Sequence, residues 1–330
     1  MIRYVIKRIL WLIPIIIVVT FIMYFLLDLA PGTVVDQMRT GNMTEEEIQQ
    51  LYKEYDLDKS VFYRYGKYML NLVQGDLGTS QITQTSVWKE FSSRFINTFV
   101  LSISGMIIGC LIALPLGIFA SKRAGTLWDT LTTGFTLIGM SMPNFWVGML
   151  LIIVFAYKIP IFKANGSGGL AGGLAGFILP AITTSFTMMA TVARQVRSSM
   201  LENIRADYLR TARAKGVPER DVINRHALKN AWIPVITTIG TTLTMSMAGS
   251  AVIETVFSWP GIGKLVVDAV SRRDVTLASG CIVLTTILYV VLLLIVDLLY
   301  AAVDPRIKAQ YVSGAKKKKK TAQPAKGVGI

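Results

Sequence analysis

The side chains whose types and spacing could support binding or catalysis are concentrated in one polar segment, residues 205–234. This segment lies between two apolar stretches. From Asp207 to Lys215 the residue types favour a helix, and Gly216 followed by Pro218 is typical of a helix end and a restart. The segment therefore predicts a helix, a tight turn and a second helix against a membrane surface. Charge alone also allows a basic loop that only fixes the orientation of the chain in the membrane.

Patterns of the common catalytic sites are missing from the sequence. No stretch fits the phosphate-binding pattern G-x-x-x-x-G-K-[ST], because Gly261-Ile262-Gly263-Lys264 lacks the first glycine and the final hydroxyl. The single histidine, His226, excludes an H-E-x-x-H metal site, and we expect it to pack or hydrogen-bond within the polar segment. Cys110 and Cys281 lie in apolar runs without metal or disulfide spacing. We therefore predict no catalytic residue, no metal site and no ATP hydrolysis by this chain.

Composition indicates a membrane protein. The 330 residues are 52% hydrophobic, with a net charge of +14 and a mean hydropathy of +0.52, and the apolar residues form runs near the length of a bilayer span. The basic excess lies beside these runs and in Lys316–Lys320. Anionic lipid and the excess of basic residues in cytoplasmic loops explain it more simply than nucleic acid does. We expect membrane lipid as a partner and no nucleic acid.

Hydropathy predicts an all-α polytopic membrane protein with six membrane-spanning helices. The predicted spans are 9–27, 97–120, 127–157, 177–193, 235–256 and 277–303. They divide the chain into 1–27 with the first span, an extracytoplasmic segment 28–96, a core 97–303 containing the loop 194–232, and a basic tail 304–330. Nine basic residues against four acidic ones between Arg194 and Lys229 place that loop, and both termini, in the cytoplasm.

Two of the predicted pieces contain irregular features. In the outer segment, Thr44 and Glu47 form a capping-box pattern before an amphipathic helix, and a second such helix is predicted for Val61–Val73. The segment is therefore predicted to be a small helical subdomain between the first two spans. In the third span, Pro143 and Asn144 predict a break, which is tolerated where a helix lines protein or a wet cavity.

The polar segment resembles the cytoplasmic coupling loop of binding-protein-dependent ABC transporter permeases, in particular the B-type subunit of the oligopeptide and dipeptide (peptide/nickel) branch. The matching stretches are Asp207-Tyr208, Ala212–Gly216, Arg225–Asn230, Gly75–Ser80, Glu254–Lys264, Asp268–Asp274 and Asp304-Pro305-Arg306. The chain departs from the pattern at Thr33, where the family has Asp, and at Val275-Thr276, where it has Tyr-Pro.

The resemblance implies the type I fold of ABC importer permeases and a subunit of an ATP-driven peptide importer in the bacterial cytoplasmic membrane. The implied partners are a homologous second permease subunit, two ATPase subunits that hold ATP and Mg, and an extracytoplasmic peptide-binding protein. This chain itself would hold no cofactor. A permease for nickel or another small solute stays open as an alternative. An ion-coupled secondary transporter is disfavoured because charged residues are scarce at mid-membrane.

Three groups of site residues follow. By the resemblance, the residues expected to contact the ATPase are Asp207, Thr211, Ala212, Arg213, Lys215, Gly216, Arg225 and His226. The residues expected to form an outer gate, or the docking surface for the binding protein, are Glu254, Phe257, Trp259, Pro260 and Gly261. Polar or flexible side chains on predicted spans make Asn144, Thr237, Thr241 and Met245 candidates for lining the transport pathway.

Overall fold

The structure is a computed structural model that describes residues 2–39 and 43–303. Within these ranges the regular structure is helical, apart from one isolated antiparallel bridge between Thr79 and Ser86. The predicted basic tail, 304–330, lies outside the described residues.

Fourteen helices can be numbered along the described chain. They are α1 Ile2–Leu29, α2 Val34–Met38, α3 Glu45–Glu54, α4 Val61–Val73, α5 Val87–Lys122, α6 Leu127–Ser141, α7 Asn144–Ile152, α8 Leu174–Ile204, α9 Asp207–Ala214, α10 Glu219–Asp221, α11 Leu228–Met247, α12 Ala251–Val256, α13 Ile262–Ser271 and α14 Val275–Val303. A π-helical turn, Ile153–Lys158, continues α7, and another, Val222–Ala227, joins α10 to α11.

Four stretches within the described residues are long and apolar enough to cross a membrane, namely Tyr4–Leu29, Val87–Lys122, Leu174–Ile204 and Val275–Leu299. Helix α6 and the piece Asn144–Lys158 meet this test together and are bent by 98°. The break at Pro143 is thus confirmed, because proline lacks the amide hydrogen that would continue the helix. Helix α11 does not pass the same test, so the count of six spans stays a prediction.

Two helices extend beyond the spans predicted within them. Helix α5 begins ten residues before the predicted second span, because the Ser86 hydroxyl accepts a hydrogen bond from Lys89 N at 3.4 Å and caps the helix there. Helix α8 continues to Ile204, beyond the predicted fourth span, which ends at residue 193. The segment between α8 and α11 is consequently 205–227, which lies within the predicted loop 194–232.

The predicted fifth span, 235–256, is divided in the structure. Helix α11 ends at Met247, and the separate helix α12 begins at Ala251. Gly249 lies between them with φ +107°, and a Cβ there would be 3.1 Å from the backbone of Gly263. The helix is interrupted at this glycine, and only glycine adopts this backbone conformation without strain against so close a neighbour.

The longest helices, α5 and α8, pack closely along small residues. A Cβ on Gly105 would lie 2.7 Å from Thr184 Cγ2, and one on Gly117 would lie 2.7 Å from Ala193 O. Small residues let helix backbones approach in a membrane, where lipid gives little hydrophobic drive for association. The α5–α8 pair is the centre around which α6, α7, α11 and α13 are arranged.

The outer segment forms the expected small helical subdomain. Thr44 N donates to Glu47 Oε2 at 2.8 Å while Thr44 Oγ1 accepts from Glu47 N at 3.3 Å, which confirms the capping box. The subdomain is fixed to the core because Ser80 Oγ donates to the buried carboxylate of Asp274. Next to it, Arg273 Nη2 donates to Pro31 O at 3.1 Å. Three separate stretches of the chain therefore meet at the start of α14.

Candidate functional site

The loop between α8 and α11 is anchored to the bundle by apolar side chains. Leu209, Val222 and Ala227 are fully buried, and they belong to a cluster with Met200 of α8 and Ala231 of α11. Burial of apolar surface favours a fixed position for the loop against the helix ends. We call this segment, residues 205–227, the coupling loop.

The turn inside the coupling loop has the geometry of a Schellman motif. Gly216 N donates to Arg213 O at 2.9 Å, Val217 N donates to Ala212 O at 3.3 Å, and Gly216 has φ +77°. The half-buried Val217 and Ala212 both pack against the apolar cluster. The predicted helix stop at Gly216 is confirmed, and the turn is a defined structure rather than a loose connection.

An ion pair closes the same turn. Arg213 Nε and Nη2 donate to the two carboxylate oxygens of Glu219, at 3.0 and 2.8 Å. This bond from Arg213 lowers the pKa of Glu219 and raises the pKa of Arg213. At neutral pH both groups are charged, and the fork of the guanidinium holds the start of α10 against the end of α9.

Most of the residues predicted for ATPase contact are exposed on the coupling loop. Within the part of the chain that the structure describes, the exposed members are Asp207, Thr211, Arg213, Lys215, Gly216, Arg225 and His226, whereas Ala212 is half-buried. The buried side chains face the bundle, so the charged ones are left facing away from it. The structure thus leaves these residues accessible on a segment whose apolar side chains are anchored in the bundle.

The expectation that His226 packs or hydrogen-bonds was wrong. His226 is exposed and makes no hydrogen bond to any residue that the structure describes. In the π-helical turn, Val222 and Ala227 are five residues apart and both point to the core, which leaves His226 on the outside.

Sequence reasoning missed two polar contacts beside the coupling loop. Lys122 Nζ donates to Asn224 Oδ1 at 3.1 Å and ties the end of α5 to the loop. Arg197 of α8 forms a bidentate pair with Asp129, with bonds of 2.5 and 2.8 Å. The sequence signal for the Asp129–Arg197 pair was an acidic residue at the third position of the apolar helix α6, although its partner is 68 residues away.

At the opposite end of α8 lies a buried polar centre around Glu254, whose side chain is 0% exposed. Its Oε1 accepts from Thr98 Oγ1 at 2.7 Å, and its Oε2 accepts from Lys264 N at 2.8 Å. Thr98 Oγ1 in turn accepts from Ile262 N at 2.8 Å. The carboxyl group therefore joins α5, α12 and α13, which explains how so polar a side chain is accommodated in this interior.

Aromatic side chains complete this outer hub, which we define as Asn97, Thr98 and residues 254–264. Trp259 is fully buried; its ring centroid lies 5.6 Å from that of Phe177, and its Nε1 donates to Asn97 O at 3.2 Å. Asn97 Nδ2 donates to Pro260 O at 3.0 Å, and Phe257 packs against Gly148 of α7.

Four of the five predicted gate or docking residues are buried in this hub, namely Glu254, Phe257, Trp259 and Gly261, and Pro260 is half-buried. They do not form a free surface for a binding protein in this conformation. Their positions suit a rigid joint between helices, because each polar atom is used inside the chain.

The pathway candidates lie in two places. Thr237, Thr241 and Met245 follow one another at four-residue spacing on α11, and Met245 is 68% exposed. The hydroxyls of Thr237 and Thr241 donate to Ile233 O and Thr237 O, at 3.1 and 3.0 Å. The hydroxyl hydrogens of Thr237 and Thr241 are used in these bonds to the helix backbone. This face of α11 therefore offers hydroxyl oxygens as acceptors, together with methyl groups. Asn144 is half-buried and accepts a bond from Thr187 on α8.

Two family models match the chain. Residues 113–309 match the model described as binding-protein-dependent transport system inner membrane component. Residues 1–102 match the model for the N-terminal part of the membrane component of the same transport systems.

Characterised relatives extend over almost the whole chain. It is 34% identical over 336 residues to the dipeptide transport system permease protein DppB of Escherichia coli K12, with 93% of this chain and 99% of that protein covered. It is 36% identical over 315 residues to the oligopeptide transport system permease protein AppB of Bacillus subtilis 168, with coverage of 93% and 100%. The glutathione transport system permease protein GsiC of Escherichia coli K12 is 35% identical over 308 residues, with coverage of 93% and 99%.

A solved structure shares the fold. A chain of the MetNI methionine ABC transporter, solved in inward-facing conformations, superposes with a TM-score of 0.54 at 18% identity and covers 65% of this chain and 96% of that one. The helical core therefore has the fold of an ABC importer permease. Since both family models and full-length relatives agree, the chain belongs to the binding-protein-dependent transport system inner membrane components and is a permease subunit of that family.

Proposed function

We propose that this permease imports short peptides and that ATP binding on partner subunits drives it between inward-facing and outward-facing states. The observation that carries the proposal is the full-length similarity to permeases named for dipeptides, oligopeptides and glutathione. These cargoes share a peptide backbone, whose amide hydrogens match the acceptor oxygens along α11.

In this proposal the energy source lies outside the chain. The sequence carries no phosphate-binding loop, and the coupling loop presents a rigid basic surface on which an ATPase subunit can act. Two ATPase subunits hold ATP and Mg, and each contacts the coupling loop of one permease subunit. Asp207, Thr211, Arg213, Lys215, Arg225 and His226 provide the contact, while Gly216 fixes its shape.

The remaining partners follow from the same arrangement. A homologous second permease subunit supplies the other half of the pathway opposite α11, and an extracytoplasmic binding protein delivers peptide near the outer subdomain. Both termini and the coupling loop lie in the cytoplasm, in agreement with the basic residues of 194–229.

The test is uptake of radiolabelled L-alanyl-L-alanine into proteoliposomes that contain this chain with its second permease, ATPases and binding protein. We expect uptake with ATP, and none when ATP, the ATPases or the binding protein is omitted. A parallel assay with labelled nickel separates the two cargo classes. Uptake by this chain alone along an ion gradient would contradict the proposal and indicate a secondary transporter.

A further inference from the structure

A partly open cavity of about 240 Å³ lies between the outer subdomain and the neighbouring ends of α1 and α14. This volume corresponds to roughly eight water molecules at about 30 Å³ each, and it is below the range of about 300–1,000 Å³ typical of drug-sized ligands. The cavity therefore has the size for an amino acid or a dipeptide. It lies where three stretches of the chain meet, and Gly32, Gly78 and Arg273 contribute to its wall.

The walls contain polar atoms without partners. Arg64 Nε, Tyr68 Oη and Gln81 Oε1 are buried and have no hydrogen-bond partner in residues 2–39 and 43–303. They are three of the six buried side-chain atoms in this condition among the described residues, and all three residues line this one cavity. Buried polar groups are nearly always paired, so this concentration indicates a polar occupant.

The charges around the cavity are of both signs and incompletely paired. Asp28 pairs with Arg64, and Asp56 pairs with Lys67. Arg273 and Glu54 also line the cavity, and neither forms an ion pair with a described residue. The described acidic side chains do not cluster closely enough to hold a metal ion. An occupant with one positive and one negative end can pair with Glu54 and with Arg273, two lining charges left without an ion pair to a described residue.

We propose that this cavity binds a small zwitterion, an amino acid or dipeptide, independently of the transport pathway. Its carboxylate faces the guanidinium groups of Arg64 and Arg273 and the Tyr68 hydroxyl, and its ammonium group faces Gln81 Oε1 and the carboxylate of Glu54. Because the three unpartnered atoms are closed off from solvent, binding includes a small rotation of their side chains. That the ligand is also the transported cargo rests on the proposed function, whereas binding itself does not.

The test is isothermal titration of the full chain, purified in lipid nanodiscs without ATPases, with L-alanyl-L-alanine. N-acetyl-L-alanyl-L-alanine amide, which lacks both end charges, is the matched probe and should bind at least tenfold more weakly. Tyr68→Phe removes the unpartnered hydroxyl and should weaken dipeptide binding at least about tenfold, the value of one hydrogen bond to a charged carboxylate. Tyr63→Phe, on the exposed side of the same helix, is the control and should leave the affinity unchanged.

A second readout separates a binding role from a structural one. Without ligand, Tyr68→Phe should leave the melting temperature unchanged or raise it, because an unpartnered buried hydroxyl is lost. Arg273→Gln, at a half-buried position, should weaken binding further and serves if Tyr68→Phe fails to fold. No binding by the wild type, or equal affinities in Tyr68→Phe and Tyr63→Phe, would overturn the proposal and leave only water in the cavity.

The uptake assay keeps this inference distinct from the proposed function. ATP-driven dipeptide uptake without binding at the cavity would reject the zwitterion site alone. Binding that depends on Tyr68, in a complex that moves no peptide, would reject the proposed cargo alone.

Discussion

At the scale of single residues, Gly261 shows how tightly the outer hub is packed. A Cβ at this position would lie 2.5 Å from Thr98 Oγ1 and would overlap the carboxylate of Glu254. We expect Gly261→Ala to destabilise the chain by about 1–3 kcal/mol through overpacking. Thermal denaturation of the purified protein measures this as a lower melting temperature. Gly134→Ala, where nothing lies within 4 Å, is the control, and equal melting temperatures would refute the packing argument.

The side chain of Asp274 both caps α14 and binds the outer subdomain. Its Oδ1 accepts from Leu277 N at 3.0 Å and caps α14, while its Oδ2 accepts from Ser80 Oγ of the outer subdomain. We expect Asp274→Asn and Ser80→Ala each to lower stability by about 1 kcal/mol, and the double variant to lose less than the sum. A double-mutant cycle by thermal denaturation measures the difference. Strict additivity would mean that the two residues do not interact.

At the scale of elements, the turn of the coupling loop should respond to pH. The pKa of Glu219 is lowered by Arg213, so the ion pair is present above the ordinary glutamate pKa of about 4.3 and is lost as the pH falls through the lower value in the loop. We expect faster amide hydrogen exchange at Gly216 and Val217 in acid, relative to unstructured peptide, and Glu219→Gln should show it already at neutral pH. The control is Asp207→Asn, which removes a carboxylate exposed on the same loop. If Glu219→Gln exchanged like the wild type at neutral pH, the ion pair would not hold the turn.

Structural features that depend on residues close together in the sequence were predictable from it. The capping box of Thr44 and Glu47, the helix end at Gly216 and the break at Pro143 each depend on residues within one turn, and the structure has all three. The ends of α5 and α8 did not follow from the predicted spans, because apolar length marks where a helix can cross lipid and not where it stops.

Contacts between distant residues were not predictable in this way. Glu254 and Thr98 are 156 residues apart, and Asp129 and Arg197 are 68 apart, so no spacing rule connects them. The resemblance to the family identified the stretch around Trp259 as an outer gate or a docking surface, whereas the structure places its aromatic and acidic side chains in the interior. Hydropathy could not separate the two, since a gate and a buried joint use the same residue types.

At the scale of the whole molecule, α8 connects the outer hub with the coupling loop. Its 31 residues span about 46 Å at 1.5 Å per residue. Near one end Ala181 packs with Trp259 of the outer hub, and near the other Met200 packs with Leu209 of the coupling loop. A displacement of the coupling loop would therefore reach the outer hub through one continuous helix.

The central claim is that the shape of the coupling loop transmits the action of the ATPases, and a matched pair of glycines tests it. Gly216 in the coupling loop and Gly125 in the turn before α6 have φ of +77° and +80°, and at both a Cβ would meet no other atom within 4 Å. Valine is strained at both, by about 1–2 kcal/mol. The measurement is the number of dipeptides taken up per ATP hydrolysed by the reconstituted complex. We predict at least a fivefold lower ratio for Gly216→Val and a ratio near that of the wild type for Gly125→Val. Equal ratios in both variants, in complexes that assemble normally, would contradict the account.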